Sequence, residues 1–62
     1  MSDAQTILIV EDDETDRLIV RLFLEQAGYR VLEADSAESG LELCNRTRPD
    51  LLLIDGLLPF MD

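Results

Sequence analysis

Leu51-Leu52-Leu53-Ile54-Asp55-Gly56 decides the fold, because the most apolar run in the chain ends there on a carboxylate. A charge at the rim of such a run needs a reason. A second run, Ile7-Leu8-Ile9-Val10, ends in the same way on Glu11-Asp12-Asp13-Glu14. Continuous runs of β-branched residues and leucine are the pattern of strands buried on both faces, as in parallel sheets. If the two runs lie side by side and parallel, their C-terminal tips gather these carboxylates. Crowded carboxylates repel each other, and a divalent cation that prefers hard oxygen ligands is the simplest way to stabilise them.

Between the runs the sequence predicts helix, strand and helix. Acids at residues 11–14 suit a helix N-terminus, where they complement the exposed amides and the positive end of the dipole. A helix over residues 15–27 follows, ended by Gly28 in the position that commonly turns left-handed. Ile19, Val20, Phe23 and Ala27 form its expected sheet-facing stripe. Leu18 and Leu22 widen that apolar surface, and read as broader core coverage, with a second contact face as the alternative. Residues 29–34 predict a second strand with Val31 pointing inward. Ser36 is the expected N-cap of a second helix over residues 37–46, with Ala37, Gly40, Leu41 and Cys44 at helical spacing. Pro49 breaks the chain before the last strand. Strands alternating with helices imply right-handed crossovers and hence a parallel α/β sheet. Asp55-Gly56 is also a hairpin turn signal, but Pro59 has no N–H to give to a ladder, and neither flank alternates with polar residues.

Composition narrows the function. The chain has 62 residues with a net charge of −9, five Arg or Lys in total and no histidine. All five cations are arginine, so chemistry that needs an ammonium or imidazole must be borrowed from a partner. The acidic balance disfavours nucleic acid and anionic membranes. No apolar run approaches the ~18 residues of a membrane span, and Asp3 sits where a signal peptide would be basic. A cytoplasmic chain is expected. Cys44, the single cysteine, reads as a small core hydrophobe. At this length one structural unit is expected, burying only about 60% of its unfolded surface.

Taken in order and spacing, these pieces resemble the response regulator receiver domains of two-component signalling. The residues that carry the resemblance are Ile7 to Glu14, Arg17, Gly28-Tyr29, Pro49 to Asp55, and Leu58-Pro59-Phe60-Met61-Asp62, which together cover nearly the whole chain. The resemblance implies a flavodoxin-like parallel sheet, here its N-terminal half over residues 1–62, ending just after the third strand with strand order 2-1-3. It implies that Asp55 is the phosphoacceptor. It further implies Mg²⁺ bound directly by Asp12 and Asp55, by Glu11 through water, and by the backbone carbonyl of Leu57. Asp13 matches a position that is often acidic, with a role at the helix start. The implied donor is a phosphohistidine on a sensor histidine kinase or phosphotransfer protein. The implied chain is not a turnover enzyme but a receiver that phosphorylates itself.

The chain departs from the family in one respect: the Ser or Thr after the fourth strand and the Lys after the fifth would lie beyond Asp62. An arginine is not an obvious substitute for that lysine. The expected third strand also has an open apolar edge, a template for pairing with another chain. A homo-oligomer is therefore expected, a two-fold dimer in which third strands meet antiparallel to give the order 2-1-3-3′-1′-2′. The alternative function is a non-catalytic, self-associating interaction module. For the acids at residues 11–14 taken alone, helix capping and solubility are the ordinary explanation, and for Asp55 alone a turn before Gly56 is.

Overall fold

The computed structural model describes residues 4–54. Five elements follow in order: β1 (Thr6–Val10), α1 (Glu14–Gln26), β2 (Arg30–Ala34), α2 (Ala37–Thr47) and β3 (Leu51–Ile54). They form a three-stranded sheet of order β2-β1-β3, with β1 parallel to both neighbours. These are the first three strands of the flavodoxin-like order expected from the sequence. Residues 57–60, the second arm of the hairpin alternative, lie outside the described residues. Among the described residues no helix is long and apolar enough to cross a membrane.

β1 holds the core because it is covered on both edges and both faces: Ile7, Leu8, Ile9 and Val10 are all buried, Leu8 completely. Side chains alternate across a strand, and register partners in a parallel sheet share a face. One face therefore carries Ile7 and Ile9 with Val31 and Glu33 of β2 and Leu51 and Leu53 of β3. The other carries Leu8 and Val10 with Leu32, Ala34, Leu52 and Ile54. α1 covers the first face, where its arginines meet Glu33. α2 covers the second, where Leu43 and Cys44 pack against Leu8, Val10 and Ala34. Both helices lie over β1 and β2, and neither lies over β3. Leu51, Leu52 and Leu53 are consequently exposed.

Local chemistry sets the helix ends. The Asp13 carboxylate accepts hydrogen bonds from the amides of Thr15 at 2.9 Å and Asp16 at 3.4 Å, which satisfies two of the orphan donors of α1. At the other end the Gly28 amide donates to the Glu25 carbonyl and the Tyr29 amide to the Leu24 carbonyl, each at 3.0 Å. That pairing is a Schellman motif, which requires a left-handed residue after the cap, and Gly28 supplies it with φ of 99°. Ser36 caps α2 as expected, accepting from the Ser39 amide. Past the end of α2, the Asp50 amide donates to the Thr6 carbonyl at 2.8 Å, and its carboxylate accepts from the Thr6 amide at 2.7 Å. Asp50 thus fixes where β3 starts against β1.

Both predicted helix faces need correction. On α1 the half-buried, sheet-facing residues are Arg17, Val20, Arg21 and Leu24, whereas Ile19 is exposed and Phe23 is 70% exposed. Ala27 is exposed as well. The helix is rotated by its polar anchors: Arg17 and Arg21 both reach Glu33, so their side of the helix faces the sheet. Leu18 and Leu22 are exposed and do not broaden the core. On α2 the inward set is Gly40, Leu43 and Cys44, while Ala37 is exposed and Leu41 is 65% exposed. The cause is Gly40. A β-carbon there would stand 2.7 Å from Val10 Cγ2, so the missing side chain lets the first turns of α2 settle directly on the C-terminal end of β1.

Gly40→Ala would gain about 1 kcal/mol of helix propensity but force a methyl against a β-branched neighbour, an overpacking cost of roughly 1–3 kcal/mol. The expected result is a lower urea midpoint, partly restored when Val10→Ala is added. A midpoint equal to or above that of the parent chain would show that the approach is not tight.

Candidate functional site

Val10 and Ile54 are register partners. β1 and β3 therefore leave the sheet at the same edge, β1 into Glu11-Asp12-Asp13. This parallel adjacency is the geometric relation the sequence required for the acids to meet. Asp55 and Leu57, the expected phosphoacceptor and carbonyl ligand, lie outside the described residues. Glu11 and Asp12 lie within them.

The turn between β1 and α1 is tightly specified. The Glu11 amide donates to the Ala34 carbonyl at 3.1 Å, extending the pairing of β1 with β2 by one bond. The Glu11 carbonyl accepts from Arg17 Nη1 at 2.9 Å. Its carboxylate accepts from the Asp13 amide at 3.1 Å, so Glu11 Oε2 faces the helix start. Asp13 is the N-cap and is committed to that role, as expected. Asp12, between them, is exposed, with its carboxylate open to solvent at the edge where β1 ends.

The donors at this edge are oxygen only, since the chain has no histidine and Cys44 is packed into the core from α2. Two adjacent carboxylates at a strand terminus suit a small hard cation, and Mg²⁺ needs only one or two protein carboxylates because it retains several waters. Among the described residues alone, no three carboxylate or thiol groups converge as a metal site. The donor chemistry fits Mg²⁺, with Glu11 and Asp12 as the two residues of the described set that would face it.

Behind the turn lies an ion cluster that the sequence reading missed. Glu33 Oε1 accepts from Arg17 Nε at 3.1 Å, and Oε2 accepts from Arg21 Nη1 at 2.8 Å. Arg21 Nε stands 3.9 Å from Glu25, too far for a hydrogen bond, and it has no acceptor among the described residues. Hydrogen bonding to Arg21, then to Arg17, holds the Glu33 carboxyl below the usual carboxylate range against the opposing effect of partial burial. Glu33 in turn raises the Arg21 guanidinium above its ordinary range. A signal for the cluster was available. Glu33 interrupts the apolar residues Val31, Leu32 and Ala34 of β2, and Arg17 and Arg21 are one helical turn apart, the spacing at which two side chains reach one point.

Comparison with known proteins follows this geometry. The family model described as "Response regulator receiver domain" matches residues 7–62. The transcriptional regulatory protein AfsQ1 of Streptomyces coelicolor is 42% identical over 57 residues, covering 92% of this chain and 25% of that protein. CseB, a transcriptional regulatory protein of the same organism, is 40% identical over 62 residues, covering 100% of this chain and 26% of that protein. The autoinducer 1 sensor kinase/phosphatase LuxN of Vibrio campbellii is 34% identical over 61 residues, covering 98% of this chain and 7% of that protein. The chain thus spans about a quarter or less of the length of these relatives. No solved structure gives a significant match. One expectation is corrected by these matches. The resemblance implied a receiver that phosphorylates itself, but what matches is a receiver domain, and nothing in the match carries an enzymatic activity.

The ion cluster makes stability depend on pH with a definite sign. Glu33 has a lower pKa folded than unfolded, so its contribution is complete above the ordinary carboxylate range and is lost as pH falls through the folded value. Thermal midpoints of the parent chain and Glu33→Gln should differ at neutral pH, by an amount equivalent to about 1 kcal/mol for this partly exposed cluster. The two should converge in acid, where protonated Glu33 resembles glutamine. A gap that stays constant with pH would show that the carboxylate charge contributes nothing.

Proposed function

The chain belongs to the response regulator receiver family, and from that premise we propose that Asp55 accepts a phosphoryl group from a phosphohistidine on a sensor histidine kinase or phosphotransfer protein. The observation that supports this most is the parallel register of Val10 with Ile54, because it brings the acid-bearing turn after β1 beside the end of β3, to which Asp55 is covalently next. A partner with kinase chemistry is supported by the likeness to a protein named as a sensor kinase/phosphatase. The reading carries a cytoplasmic setting with it.

In the proposed transfer a carboxylate oxygen of Asp55 forms the new O–P bond as the P–N bond of the phosphohistidine breaks. The electron pair of that bond stays on the departing imidazole, which takes up a proton, and Asp55 becomes an acyl phosphate. Asp12 and Asp55 would bind Mg²⁺ directly, Glu11 through water, and Leu57 through its carbonyl. Mg²⁺, when bound, would reduce repulsion between anionic nucleophile and anionic donor and stabilise charge at the transferring phosphoryl group. Glu11 and Asp12 without a cation would oppose approach of the donor, so the transfer should depend on metal.

A second reading, self-association, is supported by a different observation. Both helices leave β3 uncovered, Leu51 is 52% exposed, and β3 is paired on one edge only among the described residues. An open apolar edge favours antiparallel pairing with the same edge of a second copy.

Two measurements separate the readings. Incubation with a phosphotransfer protein carrying phosphohistidine should add the mass of one phosphoryl group to this chain in the presence of Mg²⁺. The adduct should be absent with a chelator and absent in Asp55→Asn. An adduct that persists in Asp55→Asn would remove Asp55 from the role. A light-scattering mass at micromolar concentration should be that of a dimer if β3 self-pairs, and a folded monomer there would reject self-association.

A further inference from the structure

Arg17 makes three bonds that tie the turn bearing Asp12 to α1 and β2. Its own amide donates to the Asp13 carbonyl at 2.9 Å, and its Nη1 donates to the Glu11 carbonyl at 2.9 Å. Arg17 therefore holds the peptide that precedes Asp12, while the amide of the peptide that follows it donates to the Glu11 carboxylate at 3.1 Å. The third bond, Nε to Glu33 Oε1 at 3.1 Å, anchors the guanidinium to β2. Glu33 is itself held by Arg21 at 2.8 Å, so the clamp is fixed to both the sheet and the helix. Asp12 makes no such bond with its side chain among the described residues. Its position is set entirely by its neighbours.

We infer that Arg17 is a positioning residue for the metal-binding turn: through the Glu11 carbonyl it fixes the backbone that presents the Asp12 carboxylate to the cation. The inference rests on the Mg²⁺ reading given above and adds to it a residue that touches neither the ion nor the phosphoryl group. A guanidinium suits the task because its planar fork donates in two directions at once. The Nε side engages Glu33 while the Nη1 side engages the main chain. A lysine ammonium at the same place has the charge but not the fork.

Charge gives the inference a sign that can be measured. Arg17 is a cation close to a cation site, so if it acted only through its field, removing it would strengthen Mg²⁺ binding, and replacing it by lysine would leave binding unchanged. As a positioning residue it has the opposite effect. Mg²⁺ affinity, read by calorimetric titration of folded protein, should fall about 10-fold in Arg17→Gln, the scale for loss of an outer-shell support. Arg17→Lys should weaken binding in the same direction despite its retained charge, and it remains the informative variant if Arg17→Gln does not fold. Gly28→Ala, strained at a left-handed position at the far end of α1, should bind Mg²⁺ like the parent chain, which separates positioning from general loss of stability. Equal or tighter binding in both Arg17 variants would overturn the inference and leave the magnesium reading intact. A parent chain that takes up no Mg²⁺ would overturn that reading and the inference with it.

Discussion

Every other feature of this molecule depends on β1 being enclosed. Four consecutive apolar side chains, Ile7 to Val10, are buried, two on each face, and the strand is hydrogen-bonded along both edges. A strand with that pattern is stable only as the centre of a sheet, since either face left open would expose large aliphatic groups and either edge left open would strand backbone amides and carbonyls. Enclosure requires two parallel neighbours, parallel neighbours require crossovers, and the crossovers are α1 and α2 on opposite faces. The acidic edge is a by-product of this arrangement: β1 ends at the same rim as β3, and Glu11-Asp12-Asp13 follows it there.

The two faces of the sheet are held differently. Under α2 the contact is apolar and close, with Gly40 lying on Val10 and Leu43 and Cys44 filling the space beside Leu8 and Ala34. Under α1 the apolar floor of Ile7 and Ile9 is joined by a charged cluster in which two arginines share Glu33. Such a cluster contributes little net stability compared with hydrophobic packing of similar volume, but it has direction. It determines which side of α1 meets the sheet, and through Arg17 it ties that choice to the main chain of Glu11. The side of the molecule that is less well packed is therefore the side that orients the turn bearing Asp12.

Element identity was legible because it depends on local chemistry. The runs at residues 7–10 and at Leu51–Ile54, the Ser36 cap, the left-handed Gly28 and the break at Pro49 each act within a few residues of themselves, and all appear in the structure within about one residue of where the sequence suggests. The facing of the helices was not legible in the same way. Ile19 and Phe23 are apolar and correctly spaced for a core stripe, yet they are exposed, because rotation about the helix axis is decided by Glu33, sixteen residues downstream of Arg17 in the chain. Leu41 was misplaced for a related reason: the approach distance permitted by Gly40 brings Leu43 inward instead.

The sequence by itself determined that two apolar segments end in carboxylates, that they are separated by crossover-length helices, and that the donors available at their tips are oxygen atoms. These follow from residue type and spacing, which no packing can alter. Only the tertiary structure decided that Val10 and Ile54 stand side by side, that Asp13 is used up as a cap while Asp12 is left open, and that Arg17 grips the turn from behind. Those outcomes depend on register and on hydrogen bonds between residues distant in the chain, and a bond of that kind leaves its trace only when both partners are brought to the same place.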